Sequence, residues 1–240
     1  MDNLIIHVGN PRCGSVALLK YMNRHRDIFA QNNIRCSPSP DLFGVSGSHK
    51  DIVENIRDRF KYFNFPNVFT SRSSISGYNF LKEAPNIYKP DYVELFKELM
   101  SEYNIYVWLV IRRQDRLIES SYLHARDKGL DMDLPEYVEN SGDLSFSRQV
   151  NFWSQLDGIH VTPFDQYKEH NDKALEKMFK ETVGVDMDLP DDIGIVNERL
   201  GNATLLEPSR RDQIIKEYRE DNLEVFDKIS YNYSWNVGIV

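Results

Sequence analysis

The residues with the clearest chemical potential are Gly9, Arg12 and Gly14, which share one short loop near the start of the chain (GNPRCG). An apolar run precedes this loop and helically spaced apolar residues follow it, so residues 4–22 predict a strand, a tight turn and a helix. The free N–H groups of a helix's first turn, the positive end of its dipole and a guanidinium can then face one point. This arrangement predicts a site for a phosphate or a similar oxyanion.

The loop glycines have the spacing of a nucleotide-triphosphatase loop, but the residues after them differ. In those enzymes a Lys and a Ser or Thr follow, and they hold the β- and γ-phosphates and the magnesium ion. The chain has Ser15 and Val16 there, which disfavours hydrolysis of ATP or GTP. A cysteine phosphatase is excluded as well, because its Cys-to-Arg spacing requires an arginine at the position of Leu19.

A loop of amide donors that contains one permanent cation, Arg12, suits a group with less charge than a triphosphate. Sulfuryl transfer has this property, because the moving group carries a single negative charge. The charge that develops on the bridging oxygen can be met by a guanidinium and by amide N–H groups. The loop therefore favours sulfuryl transfer, for which no metal ion is required.

Two motifs resemble those of the sulfotransferases that use 3′-phosphoadenosine 5′-phosphosulfate (PAPS). The sequence PRCGSVALL at residues 11–19 resembles their phosphosulfate loop, whose common form is P-K/R-S/T-G-T/S-T/S. Further along, VIRRQDRLIESSYLH resembles their 3′-phosphate segment, with Arg112 at a strand end and Ser120 eight positions later. The resemblance implies a nucleotide with phosphates at both ends of its ribose, and two anion sites at neighbouring strand ends would suit it.

The resemblance also implies a role for each residue of the two motifs. Arg12 would stabilise the bridging oxygen, and Arg112 and Ser120 would hold the 3′-phosphate. The amides of the following residues would hold the 5′ end of the nucleotide: Cys13, Gly14, Ser15, Val16 and Ala17. Val16 replaces a hydroxyl that is usual in the family, so one hydrogen bond to a charged group, worth about 1.5 to 3 kcal/mol, is absent.

Two of these assignments have alternatives. Arg113 and Ser121 have the same spacing as Arg112 and Ser120, although the apolar run ends at Ile111 and therefore favours the first pair. Cys13 is either a redox-sensitive thiol at a helix start, where thiol pKa values are lowered, or simply a small residue that fits.

The acceptor needs a base, and His49 is the histidine most plausibly placed to serve. An ordinary histidine pKa near 6.5 suits that task, and the alternative is a solvated loop histidine. Residues 32–50, 78–89 and 128–145 are expected to be variable loops that shape the acceptor pocket. Their aromatic and acidic residues suit a sugar and a small cationic metabolite equally.

The remaining elements predict how these motifs are positioned. Apolar runs at residues 67–70, 105–111 and 159–163 predict strands, and the second run lacks alternation, as is typical of a strand covered on both faces. Helical patterns occupy residues 90–103, 114–128, 147–156 and the segment that begins at Pro208. The alternation predicts an α/β fold with three layers, in which helices cover both faces of a central parallel sheet of about four to five strands, of the P-loop nucleotide-binding type.

Composition limits the partners and the compartment. The formal net charge of −8 disfavours nucleic acid and anionic membranes, so an anion site must be a local basic pocket. No run reaches the roughly 20 apolar residues of a membrane span. Cys13 and Cys36, the two cysteines, form no disulfide framework and lack zinc-ligand spacing. We expect one cytoplasmic domain over residues 1–240.

The sequence thus predicts a PAPS-dependent sulfotransferase that acts on a hydroxyl or amine of a glycan or small-molecule acceptor and releases adenosine 3′,5′-bisphosphate (PAP). Two alternatives stay open. One is a small-molecule kinase with a related loop, and the other is a non-catalytic nucleotide-binding protein of the same fold.

Overall fold

The structure is a computed structural model that describes residues 1–9, 13–38, 49–71, 91–164, 171–191 and 205–228. Within these ranges, no helix is both long enough and apolar enough to cross a membrane.

A five-stranded parallel sheet forms the centre of the protein. Its strands are β1 (Asp2–Gly9), β2 (Ile34–Pro38), β3 (Asn67–Ser71), β4 (Tyr103–Ile111) and β5 (Gly158–Pro163), in the spatial order β2-β3-β1-β4-β5. All four pairings are parallel. The sheet confirms the predicted α/β fold, and the three strands expected from apolar runs are present.

Ten helices are described around this sheet. The first five are α1 (Ser15–Arg24), α2 (Arg26–Gln31), α3 (His49–Phe63), α4 (Asp91–Leu99) and α5 (Gln114–Asp127). The others are α6 (Leu134–Glu139), α7 (Phe146–Trp153), α8 (Asn171–Val183), α9 (Pro208–Glu217) and α10 (Arg219–Lys228).

The sheet is buried on both faces because consecutive side chains of its inner strands point to opposite sides. Leu4, Ile6 and Val8 of β1 lie in a core that includes side chains of α3, α4, α5 and α7. Ile5 lies in a second core, which includes Trp108 and side chains of α1, α2 and α8. The lack of alternation in β4 therefore reflects two apolar faces, as predicted.

The register of the sheet brings the two sequence motifs to one edge. β1 pairs with β4 from Asp2 opposite Tyr103 to Gly9 opposite Val110, and β4 pairs with β5 up to Ile111 opposite Pro163. Because the strands are parallel, the segments after all three strands leave the sheet at its carboxyl edge, where α/β proteins bind ligands.

Three expectations need correction. Residues 32–50, expected to be a loop, contain the edge strand β2 and the first two residues of α3, and residues 128–145 contain α6. Arg35 of β2 is exposed and the strand pairs with β3 alone, so it lacks the apolar run that reveals a central strand. The helix predicted from Pro208 is two helices, separated at Tyr218. The second of these helices, α10, is attached to the start of α7, because Asp221 accepts hydrogen bonds from the amides of Phe146 and Ser147.

A buried ionic cluster fixes the start of α5, directly after β4. The carboxylates of Asp115 and Glu119 are completely buried. Arg113 donates from Nε and Nη2 to Asp115 at 2.6 and 2.9 Å, and Arg116 donates to Glu119 at 3.1 Å. Arg211 of α9 bridges both acids, with 2.7 Å to Asp115 and 2.5 Å to Glu119. Buried charges are tolerated because they are paired in this way.

The same cluster attaches the chain that enters α9. Glu119 Oε1 also accepts hydrogen bonds from the amides of Leu205 and Leu206, at 2.8 and 3.0 Å. One carboxylate therefore joins α5, α9 and the backbone between residues 205 and 206.

Arg211→Met should lower the free energy of unfolding by about 3 to 5 kcal/mol, because two buried carboxylates lose their shared partner. Arg210→Met is the matched control: the neighbouring arginine makes an exposed contact with Gln213, and its loss should change stability by less than about 0.5 kcal/mol. Urea unfolding measures the stability of both variants. An effect of Arg211→Met as small as that of Arg210→Met would contradict a stabilising role of the buried cluster.

Candidate anion-binding site

The start of α1 has the backbone geometry of an anion site. Gly14 adopts the left-handed conformation (φ 82°, ψ 7°) directly before the helix, a conformation that favours glycine. No described side chain caps the helix, and its first turn contains no acidic residue. The free amides and the positive end of the helix dipole are therefore available to an oxyanion.

The predicted residues of this loop have different environments. Arg12 lies outside the described residues. Cys13 is fully buried in the second core, an environment in which a cysteine behaves as a small apolar residue. Ala17 is buried as well, whereas Val16 is 57% exposed. The apolar side chain that replaces the usual hydroxyl thus lies in solvent on the first turn of the helix.

His7 lies on β1, two residues before Gly9. Its side chain is fully buried, and its Nδ1 is 2.8 Å from Ser71 Oγ. Burial lowers the pKa of the imidazole from 6.5 to about 3, so His7 is neutral near pH 7. The ring also packs against Trp108, with 4.9 Å between the centroids.

Polar side chains on neighbouring strands form a row across the sheet, near its carboxyl edge. Trp108 continues the row by donating from Nε1 to Thr162 Oγ1 at 2.9 Å. The row runs through four neighbouring strands, with Ser71 on β3, His7 on β1, Trp108 on β4 and Thr162 on β5. The two side-chain hydrogen bonds of this row fix the rotation of the buried rings of His7 and Trp108.

The second motif follows β4, and its two arginines have different partners. Arg113 directs Nε and Nη2 to Asp115. The guanidinium of Arg112 lies over the ring of Phe164, 4.8 Å from its centroid. Phe164 packs against the same core as α1, so Arg112 lies on the face of the sheet that α1 covers. The serines that pair with the two arginines in sequence, Ser120 and Ser121, are both buried.

His49 is the first residue of α3 and not a loop residue. Its Nε2 is 3.5 Å from Glu98 Oε2 of α4, and its side chain is 37% exposed. Glu98 Oε1 is also 3.6 Å from Arg57. The contacts of His49 thus connect it to α4.

No protein-family description and no curated protein sequence matches this chain. Among solved structures, a sulfotransferase from Alicyclobacillus acidocaldarius matches with a TM-score of 0.60 and 15% sequence identity, over 97% of this chain and 97% of that chain. The chain has a sulfotransferase-like fold. At this identity the likeness concerns the fold alone.

Weaker structural matches add no argument. The YorR protein of Bacillus subtilis, in complex with phosphorylated GDP, matches with a TM-score of 0.37 and 12% identity, over 76% of this chain and 97% of that chain. A de novo designed protein with the PLOOP2X3_50 fold gives 0.34 and 14%, with the same coverage of both chains.

In this sulfotransferase-like fold, the structure adds residues that sequence reasoning missed. His7 was not among the predicted site residues, and its one signal is a histidine inside an apolar run directly before a glycine loop. Asp115 and Glu119 carry the signal of two acids four positions apart among arginines. Among the described residues, no group of three His, Cys, Asp or Glu side chains has the arrangement of a metal site.

His7 should make stability depend on pH. The unfolded chain binds a proton at this histidine below pH 6.5, whereas the folded chain does so only near pH 3. The free energy of unfolding should therefore fall as the pH decreases through this window, by about 2 kcal/mol from this group between pH 7 and pH 5. His7→Gln cannot titrate, and its loss over the same interval should be smaller by that amount in urea unfolding.

Ser71→Ala is the control for this measurement, because it retains the buried imidazole. It should retain the pH-dependent loss of stability. Equal pH dependence in the wild type and in His7→Gln would contradict a buried neutral histidine.

Proposed function

We propose that the chain is a PAPS-dependent sulfotransferase that transfers a sulfuryl group to a hydroxyl or amine of a glycan or small-molecule acceptor and releases PAP. The observation that carries this proposal is the placement of two cationic features at one edge and on one face of the sheet. These features are the start of α1, which no described side chain caps, and Arg112. A nucleotide with phosphates at both ribose ends requires two such features.

In the proposed complex, the amides of residues 13–17 and the guanidinium of Arg12 hold the 5′ end of PAPS. Arg112 and Ser120 hold the 3′-phosphate. The contacts of Arg113 with buried Asp115 support this choice of arginine, because moving Arg113 to a ligand would leave a buried carboxylate with one partner fewer. Arg112 instead places its guanidinium over the ring of Phe164, and this cation–π contact uses the face of the guanidinium and not the N–H groups in its plane.

The chemical step is an in-line displacement at sulfur. The acceptor oxygen or nitrogen forms the new bond to sulfur, while the bond to the bridging oxygen of PAPS breaks and its electron pair stays with PAP. Arg12 and the amides at the start of α1 stabilise the negative charge that develops on this oxygen. His49 takes the acceptor proton, and Glu98, 3.5 Å from its Nε2, orients the ring.

Nucleotide binding separates this proposal from a kinase. Isothermal titration should show binding of PAP without magnesium, and Arg112→Ala should weaken it by about ten- to a hundredfold, the equivalent of one charge-assisted hydrogen bond. Arg126→Ala is the matched control, since this exposed arginine lies on α5 and contacts Tyr122, and it should leave PAP affinity unchanged. Tight binding of ATP with magnesium, without binding of PAP, would identify a kinase instead.

Transfer of labelled sulfate from PAPS to a panel of sugars and amines tests catalysis. His49→Ala should lower turnover by about 10² to 10⁴-fold, the usual contribution of a general base, while PAP affinity stays the same. Lys50→Ala, which removes the exposed neighbour paired with Glu54, should retain wild-type turnover. PAP binding without transfer to any acceptor would favour the non-catalytic alternative, and unchanged turnover in His49→Ala would assign the base elsewhere.

A further inference from the structure

His7 and Ser15 direct polar atoms at the same small space beside Gly9. A Cβ placed on Gly9 would lie 2.9 Å from His7 Nε2 and 2.9 Å from Ser15 Oγ. It would also lie 2.6 Å from His7 Cε1, a distance that no side chain tolerates. The missing side chain of Gly9 therefore leaves open a space that the imidazole edge and the hydroxyl both border.

Both atoms are buried, and neither has a hydrogen-bond partner among the described residues. Such groups are rare in folded proteins, because a buried donor or acceptor without a partner costs the free energy of its lost hydration. Two such atoms lie close to the same glycine, at the end of β1. Their proximity indicates that they have a common function.

The other edge of the His7 ring is already fixed. Ser71 Oγ lies 2.8 Å from Nδ1, and Trp108 packs against the ring face. When the Ser71 hydroxyl donates to Nδ1, the neutral ring carries its proton on Nε2, the atom that lies with Ser15 Oγ beside Gly9. Burial keeps the ring in this neutral form, since it lowers the pKa to about 3. In this tautomer, Nε2–H is a neutral hydrogen-bond donor near pH 7.

We propose that His7 is a positioning residue for the anion site: its Nε2–H and the Ser15 hydroxyl form one hydrogen-bonded link across Gly9, which holds the first turn of α1 against β1 when an oxyanion binds there. Ser15 accepts from His7, so its own proton remains available to donate towards the bound oxyanion. This proposal rests on the proposed function only for the identity of the oxyanion, the 5′-phosphate of PAP.

The link would act through geometry. The amides at the start of α1 bind an oxyanion tightly only if their N–H groups all point towards it. A small displacement of the first turn misaligns them and weakens binding. Gly14 at the start of the turn is in a conformation that glycine reaches easily and so restrains the turn little. A fixed contact from the rigid centre of the sheet supplies the missing restraint.

Two substitutions of His7 form a matched pair. His7→Gln keeps a donor near the position of Nε2, whereas His7→Asn keeps one only near Nδ1, on the Ser71 side. Both replace the buried ring and should lower the thermal midpoint to a similar extent. In isothermal titration, His7→Asn should weaken PAP binding by about tenfold and His7→Gln by less than about threefold. Equal weakening by both variants, or by neither, would overturn the proposal.

A double-mutant cycle tests whether His7 acts through Ser15. Ser15→Ala alone should weaken PAP binding, and adding His7→Asn to Ser15→Ala should cause no further loss. If the two substitutions weaken binding independently, so that their factors multiply, His7 does not position the helix through this hydroxyl.

Nuclear magnetic resonance keeps this result separate from the proposed function. The Nε2 resonance of His7, assigned by its loss in His7→Gln, should shift on titration with PAP and also with inorganic sulfate, and Ser15→Ala should abolish both shifts. A response to sulfate without PAP binding would refute the proposed nucleotide and retain the link. Binding of PAP or sulfate without any shift would overturn the link and retain the site.

Discussion

The pairing of β1 with β4 is the constraint on which the rest of the structure depends. Eight consecutive residue pairs join the two strands, and both strands are covered on each face by an apolar core. A slip of one residue would turn every buried side chain towards the wrong core. The register is therefore strongly fixed, and with it the relative height of the two segments that leave the strands, the glycine loop and the arginine pair.

Much of this architecture could be predicted, because its signals are local. Residues 105–111 revealed a doubly covered strand through their unbroken apolar composition, and Gly9 and Gly14 marked the turn into α1. The short edge strand β2 was missed because Arg35 interrupts its apolar pattern. His49 was placed in a loop although it begins a helix. The row that joins His7, Ser71, Trp108 and Thr162 depends on contacts between four strands, which no single stretch of sequence contains.

The ionic cluster around Asp115 shows how a fold can distinguish two adjacent identical residues. Arg112 and Arg113 have the same chemistry and the same spacing to a serine. Their difference arises because Asp115 is completely buried and draws Arg113 into the interior together with Arg211. From the sequence alone, the choice between the two arginines depended on the point at which the apolar run ends. The buried carboxylate of Asp115 and the ring of Phe164 therefore give the two arginines different environments.

The strand order has a consequence for synthesis on the ribosome. β1 is made first, yet it occupies the middle of the sheet between β3 and β4. The edge of β1 that faces β3 has its partner once residue 71 has been translated. The edge that faces β4 has its partner only after residue 111, roughly 5 to 20 s after β1 at typical rates of elongation. A nascent chain of this topology therefore leaves one hydrogen-bonding edge of its central strand unpaired until residue 111 has been made. Slower decoding before residue 111 would lengthen the period in which chaperones must shield it.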